Sequence, residues 1–214
     1  MCWNEHVSLN TFLFSMFVLF LIIYNNAFTQ YKIKDLNNPW MYLFFASFIF
    51  MQLIECFIWR NINNKFYNNI FSTMAASLII FQPIASLMLL SNVSLRNTLL
   101  SIYIVSGVPY FIYKVLTKTM HSTVSKDGHL NWLFFNQEPV IFIVWLFFFL
   151  FSLFYERKWP GFLFGFLSMC VFYYNYVKKH TFGSMWCWFV NSIMIYYAFY
   201  LLLYLPFCEK KELC

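Results

Sequence analysis

Charge is what this chain has least of: 10% of its 214 residues are Asp, Glu, Lys or Arg, less than half the share of a soluble domain. That scarcity excludes a soluble globular domain. Glycine and proline are also few, at five and six, which leaves no Gly/Ser linker and no collagen-like period. The longest polar loop, 118–137, is about twenty residues and too short for a second domain. No internal repeat aligns residue by residue. Residues 1–10 hold no Lys or Arg ahead of the first apolar run, whereas a cleavable signal peptide carries a basic n-region there. The first apolar segment is therefore expected to stay in the mature protein.

What the chain has is apolar length. Hydrophobic residues make up 62% of it, and seven stretches approach the roughly 20 helical residues that cross a hydrocarbon core. The expected spans are 7–24, 39–59, 66–91, 96–116, 139–155, 159–177 and 182–206. Hydrophobicity does not alternate along them, so helices rather than a barrel are expected. The fold class is an all-α polytopic bundle, one seven-helix transmembrane domain over residues 1–214 with the lipid bilayer as its partner. Pro83 should kink the third span and free a backbone carbonyl one turn earlier. Gly161 and Gly165, one turn apart, read as a close helix-packing contact.

Eleven Lys stand against three Arg, with 30 Phe and 15 Tyr, the style of an A+T-rich genome. Aromatic abundance therefore reads as lipid-facing bulk and interfacial belts rather than a cofactor box, and no cofactor is named by the sequence. An odd number of spans divides Lys and Arg evenly between the two faces, so the positive-inside rule assigns no orientation. The net charge of +6 forms no dense basic cluster, which argues against nucleic acid as a partner. The sequon at Asn92 abuts a helix end in a short loop, a poor glycosylation site.

The seven-helix count invites two comparisons that the residues reject. Segment 182–206 holds no Lys to form a retinal Schiff base. It also lacks the Asn-Pro-x-x-Tyr of the common receptor class, and the third span does not end in Asp-Arg-Tyr.

Glu55 is the only carboxylate inside any of the seven segments. Intramembrane ionisable groups face a bundle interior or a wet cavity and mark function by default. Gln52, Glu55 and Trp59 are spaced i, i+3 and i+7 and share one helix face. Glu55 lies five residues before Arg60, a shallow depth of about 7–8 Å. The same membrane face collects Cys2, His6, His121, His129, His180 and the entrance of the last helix, with Ser184, Trp186, Cys187 and Trp188. A binding site of Glu55, Gln52, Trp59, Cys2, Trp186 and Cys187 is expected. The structural alternative is a Glu55 that is protonated or snorkels toward Arg60 and only pins helices. Thiolate, imidazole and carboxylate could ligate zinc, yet no Cys-x-x-Cys, His-x-x-x-His or His-Glu-x-x-His spacing is present. Six Cys read as apolar packers rather than a disulfide framework. Cys2 could act through an exposed amine and thiol after loss of Met1, or could plug the bundle mouth or carry a lipid.

The opening Met1-Cys2-Trp3-Asn4 with Ser8, the run Gln52-x-x-Glu55-x-x-x-Trp59, the loop Gly128-His129-Leu130-x-Trp132 and the late Gly183-Ser184-x-Trp186-Cys187-Trp188 resemble an uncharacterised family of integral membrane proteins. Its bacterial members begin Met-Cys-Phe-Ser and carry a Gln-x-x-Glu-Gly-x-x-Trp helix and a late Trp-Cys-aromatic motif. The A+T-biased style is similar to the branch found in large DNA viruses, which implies a host or virion membrane. Here Asn4 stands in place of the family's Ser, and Cys56 in place of its Gly. The resemblance implies a seven-helix membrane protein and no particular chemistry. Three functions stay open: a shallow polar site holding an ion, proton or lipid headgroup; a metal-dependent intramembrane lipid hydrolase similar to seven-helix alkaline ceramidases; and a structural or host-interaction protein.

Overall fold

A computed structural model of the chain describes residues 4–30, 32–117, 120–135 and 139–209. Among the described residues it is an all-α bundle of seven rods with one small hairpin. They are α1 (Glu5–Phe28), α2 (Pro39–Arg60), α3 (Lys65–Leu87), α4 (Val93–Thr117), α5 (Pro139–Tyr155), α6 (Trp159–Tyr176) and α7 (Phe182–Phe207). Four of them start on an asparagine. The side chains of Asn4, Asn38, Asn64 and Asn92 accept hydrogen bonds from the backbone N–H groups of Val7, Trp40, Tyr67 and Leu95. Each cap satisfies a donor that the first helical turn leaves open.

Five rods, α1 to α4 and α7, are long and apolar enough to cross a membrane. The expectation of seven spans is thus supported by length and composition for five. α5 is a shorter apolar helix, and the last turn of α6 is diluted by Tyr173, Tyr174, Asn175 and Tyr176. The third expected span also ran too far, since α3 ends at Leu87 and turns through Met88 to Leu90.

α2 is the central post. Two thirds of its apolar window is buried, against 6% for α4, which packs along α3 and buries only Tyr103. Outward faces are apolar: Phe17, Phe20, Val105, Leu116, Val140 and Tyr174 are among many large exposed side chains. Such a surface would aggregate in water and suits a hydrocarbon solvent.

Pro83 sits inside α3 and has no N–H to offer the carbonyl of Ile79 one turn earlier. Trp145 of α5 fills the gap, its indole Nε1 donating to Ile79 O at 3.0 Å. Tyr103 of α4 donates to the next carbonyl, Ile80 O, also at 3.0 Å. The carbonyl freed by the proline thereby ties α5 to α3, and the Tyr103 bond adds α4. Serines complete the α3–α5 seam: Ser86 donates to Phe149 O at 2.6 Å, and its hydroxyl lies 2.6 Å from that of Ser152. Interhelical polar bonds of this kind hold bundles whose helices gain nothing from apolar association in lipid.

The interior is aromatic as well as the exterior. Trp145 stacks on Phe149 at 5.0 Å, and Phe48, Phe149 and Trp186 meet edge to face. Gly165 is buried against α5, where a Cβ would come 3.2 Å from Leu150 Cδ2. The Gly161/Gly165 pair therefore serves the α5–α6 approach.

Replacing Trp145 with Phe should cost about 1 kcal/mol through the stranded Ile79 carbonyl. In a Pro83→Ala background, where the restored N–H reaches that carbonyl, the same replacement should cost less. Unfolding titrations of the two single variants and the double variant measure the coupling.

Candidate functional site

Gln52 and Glu55 occupy the inner face of α2 with no exposed surface. Their spacing of three residues lets the Gln52 Nε2 donate to Glu55 Oε2 at 3.0 Å. Gln52 Oε1 is buried and has no hydrogen-bond partner among the described residues. Arg60 does not reach Glu55. It lies at the surface, 4.0 Å from Glu5 at the start of α1, so Glu55 does not snorkel toward it.

Two other helices bring polar groups to this level. The Glu5–Arg60 pair sets α1 antiparallel to α2, so that the buried hydroxyls of Ser8 and Ser15 fall on either side of the Gln52–Glu55 level. On α7, Ser184, Cys187 and Asn191 repeat the i, i+3, i+7 spacing, and all are buried. Asn191 Nδ2 donates to Cys187 O at 2.9 Å and to Phe48 O of α2 at 3.4 Å. Cys187 lies within electrostatic reach of Glu55. Of the expected site residues, Gln52 and Glu55 share a hydrogen bond, and Cys187 is buried on the helix that packs against theirs.

The others fall elsewhere. Trp59 is half-buried one turn nearer the helix end, its Nε1 without a partner among the described residues. Trp186 turns away from Glu55. Its indole donates to Ser168 Oγ of α6 at 3.0 Å and its ring enters the aromatic cluster. Cys2 lies outside the described residues.

α7 is not a regular helix beside this site. After Val190, the N–H groups of Asn191, Ser192, Met194 and Ile195 bond three residues back, a tightened turn. Residues Tyr200–Tyr204 then widen into a π turn. Departures of this kind collect at functional sites in membrane helices.

The loop of residues 120–135 closes the same end of the bundle, and it is not a plain loop. Strands β1 (Ser122–Val124) and β2 (Leu130–Trp132) pair antiparallel. The tip turns at Gly128, whose φ of +79° suits a residue without Cβ. Asn68 of α3 clamps the hairpin like a third strand, donating to Ser122 O at 3.0 Å and accepting from Ser122 N at 2.9 Å. Ser184 donates to Leu130 O at 2.8 Å. Leu130 and Trp132 are buried, and Gly183 leaves room for Trp132 and Phe135: a Cβ there would come 3.1 Å from Trp132 and 2.7 Å from Phe135.

The histidines expected on this face do not gather. His6 and His180 are exposed, while His129 is buried in the hairpin, its ring 6.0 Å from that of Tyr176. Among the described residues no three His, Cys, Asp or Glu side chains converge as a metal site. The free thiols described are Cys56 and Cys187, both buried, and the exposed Cys170.

Outside the membrane segments, burial pushes the His129 imidazole below its ordinary pKa, with Asp127 opposing. Burial raises the Asp127 carboxyl, but hydrogen bonds from Ser125 and Lys179, with His129 nearby, outweigh it and leave the net pKa lowered. Lys179 Nζ stands 3.4 Å from Asp127.

Comparison with protein-family models, with curated proteins and with solved structures finds no match to this chain. The fold defines a class: among the described residues, a helical bundle with five helices long and apolar enough to cross a membrane and with buried polar side chains on α1, α2 and α7.

The His129 shift predicts a pH effect. A folded pKa below the ordinary 6.5 means the unfolded chain binds the proton more readily, so stability falls as pH drops through that value. The thermal midpoint should decline between about pH 7 and pH 5, and His129→Gln should flatten the decline. Scanning calorimetry or fluorescence melts across that range test it.

Proposed function

We propose that the chain is a multi-pass integral membrane protein of seven spans whose Gln52–Glu55 pair holds a proton or a small cation inside the bundle. Ser184, Cys187 and Asn191 form a buried stripe on α7, which packs against α2. The observation that carries this reading is the complete burial of Glu55 next to a Gln52 Oε1 that lacks a donor. A carboxyl group removed from water needs its charge neutralised, by a proton or by a cation. An orphan amide oxygen at the same spot is an acceptor for whatever brings the positive charge.

The hydroxyls of Ser8 and Ser15, buried and without partners among the described residues, extend the acceptor set along α1. α5 and α6 complete the count of seven as the shorter spans, with local bilayer adaptation covering their length. We also carry forward the resemblance to the uncharacterised seven-helix family, on the Gln52-x-x-Glu55 and Trp186-Cys187 motifs, and with it the viral branch and a host or virion membrane. Among the described residues no ligand set for a metal-dependent hydrolase gathers.

Infrared difference spectra over a pH or sodium titration test the site. Wild-type protein should show a carbonyl band of a buried carboxylic acid that bleaches or shifts with the titrant. Glu55→Gln should lose that band while keeping its helical circular dichroism. A titration indistinguishable between wild type and Glu55→Gln would leave Glu55 as a helix pin, the structural role.

A further inference from the structure

A cavity of about 390 Å³ opens at the end of the bundle away from Glu55. Its walls are apolar, with Met41 and Phe48 of α2, Phe149 and Leu153 of α5, and Trp186 and Ile193 of α7 among them. It runs from a mouth at Arg157 past the end of α5 at Tyr155 down to Phe149, six residues of helix or about 9 Å. That is more than half the hydrocarbon of one leaflet, about 15 Å. A half-open space of this size lined by apolar side chains forfeits contacts unless something apolar fills it.

The mouth is polar and of both signs, formed by Asp35, Glu156, Arg157 and Lys158. Glu156 is engaged: it accepts from Ser91 N at 2.6 Å and Ser91 Oγ at 2.8 Å. Arg157 is held in the left-handed region at φ 56°, a conformation unusual for arginine, between α5 and α6. α6 begins immediately afterwards without a side-chain cap. Pro160 contributes no N–H there and the Phe162 N–H bonds Lys158 O, so the N–H groups of Trp159 and Gly161, with the positive dipole end, stand beside Arg157 and Lys158. Lys158 Nζ donates to the main-chain oxygen of Asp35 at 3.4 Å, and the Asp35 residue stays exposed.

We infer that this cavity binds one phospholipid with a zwitterionic, ammonium-bearing headgroup. One acyl chain fills the space down to Phe48 and Trp186. The phosphate meets Arg157, Lys158 and the start of α6, as anions do at helix N-termini. The ammonium meets the carboxylate of Asp35. A free fatty acid would bring Asp35 no positive partner, and a neutral glyceride would bring charge to neither the cations nor Asp35. The charge pattern at the mouth thus selects the headgroup, and the apolar shaft selects the chain. The floor of the shaft at Phe48 lies one helical turn from Gln52, but none of the lipid contacts involves Glu55.

Native mass spectrometry of the detergent-solubilised protein tests this with three added lipids of the same acyl chains: phosphatidylethanolamine, phosphatidylglycerol and diacylglycerol. Wild-type protein should retain one phosphatidylethanolamine per chain, with diacylglycerol retained at least about tenfold less. Arg157→Gln with Lys158→Gln should abolish that preference. Val190→Trp, which fills the shaft, should displace the lipid outright. Glu55→Gln should leave retention unchanged, which separates this site from the interior polar pair. Equal retention of diacylglycerol, or full phosphatidylethanolamine retention by the Arg157/Lys158 variant, overturns the assignment. Phosphatidylglycerol retained as well as phosphatidylethanolamine contradicts the role given to Asp35. Should Val190→Trp fail to fold, the surface variant alone decides.

Discussion

Everything in this bundle is arranged around a side-chain hydrogen bond that no solvent reaches, from Gln52 to Glu55 on the central helix. In a low-dielectric interior an amide and an acid are costly unless the surrounding groups meet them. α2 can carry the pair because α1, α3 and α7 wrap it and leave its outer strip, at Phe50 and Phe57, to the surroundings. The price of that burial appears in the neighbouring helices, which turn serines, an asparagine and a thiol inward at the same level. The break in α7 after Val190 follows the same logic, since Asn191 spends its amide on Cys187 and Phe48 carbonyls rather than on a regular turn.

Away from that layer the same economy of polar groups recurs. The carbonyl released by Pro83 is taken by Trp145, and the hydroxyl of Tyr103 takes its neighbour. The hairpin end is closed by the Asn68 side chain acting as a piece of strand. Apolar side chains give little specificity in lipid, where every face is equally greasy. Paired polar groups therefore set which helix meets which. One end of the bundle is sealed by the hairpin over the acid. The other opens through a charged mouth into an apolar shaft, and Phe48 and Trp186 divide the two regions.

Much of this was legible in the residues. Span 139–155 coincides with α5, and span 39–59 with α2 apart from Arg60, because uninterrupted apolar runs leave the backbone no alternative to a helix. The i, i+3 spacing placed Gln52 against Glu55, and the proline rule located the free carbonyl at Ile79. Other features depend on tertiary partners. The hairpin at 122–132 carried a turn signal in Asp127-Gly128 and alternation in Leu130-Asn131-Trp132, but two three-residue strands hold only because Asn68 and Ser184 grip them. The polar stripe Ser184–Cys187–Asn191 was readable by the spacing that singled out Gln52 and Glu55. Asn191, its far member, was missed because it lies deeper than the loop residues expected at the site. Trp186 shares the Cys187 motif, yet adjacent helix positions point about 100° apart, and that sends its ring to the aromatic cluster instead of the acid.

The central claim is that the Gln52–Glu55 face of α2 points into protein while the Phe50–Phe57 strip points out. A nitroxide scan of residues 50–57 in bilayers, reading collisions with oxygen by electron paramagnetic resonance, tests it directly. Collision maxima are expected at positions 50, 53 and 57 and minima at 52 and 55, with the helical period preserved. Maxima at 52 and 55 would put the carboxyl in contact with lipid and contradict the interior polar layer.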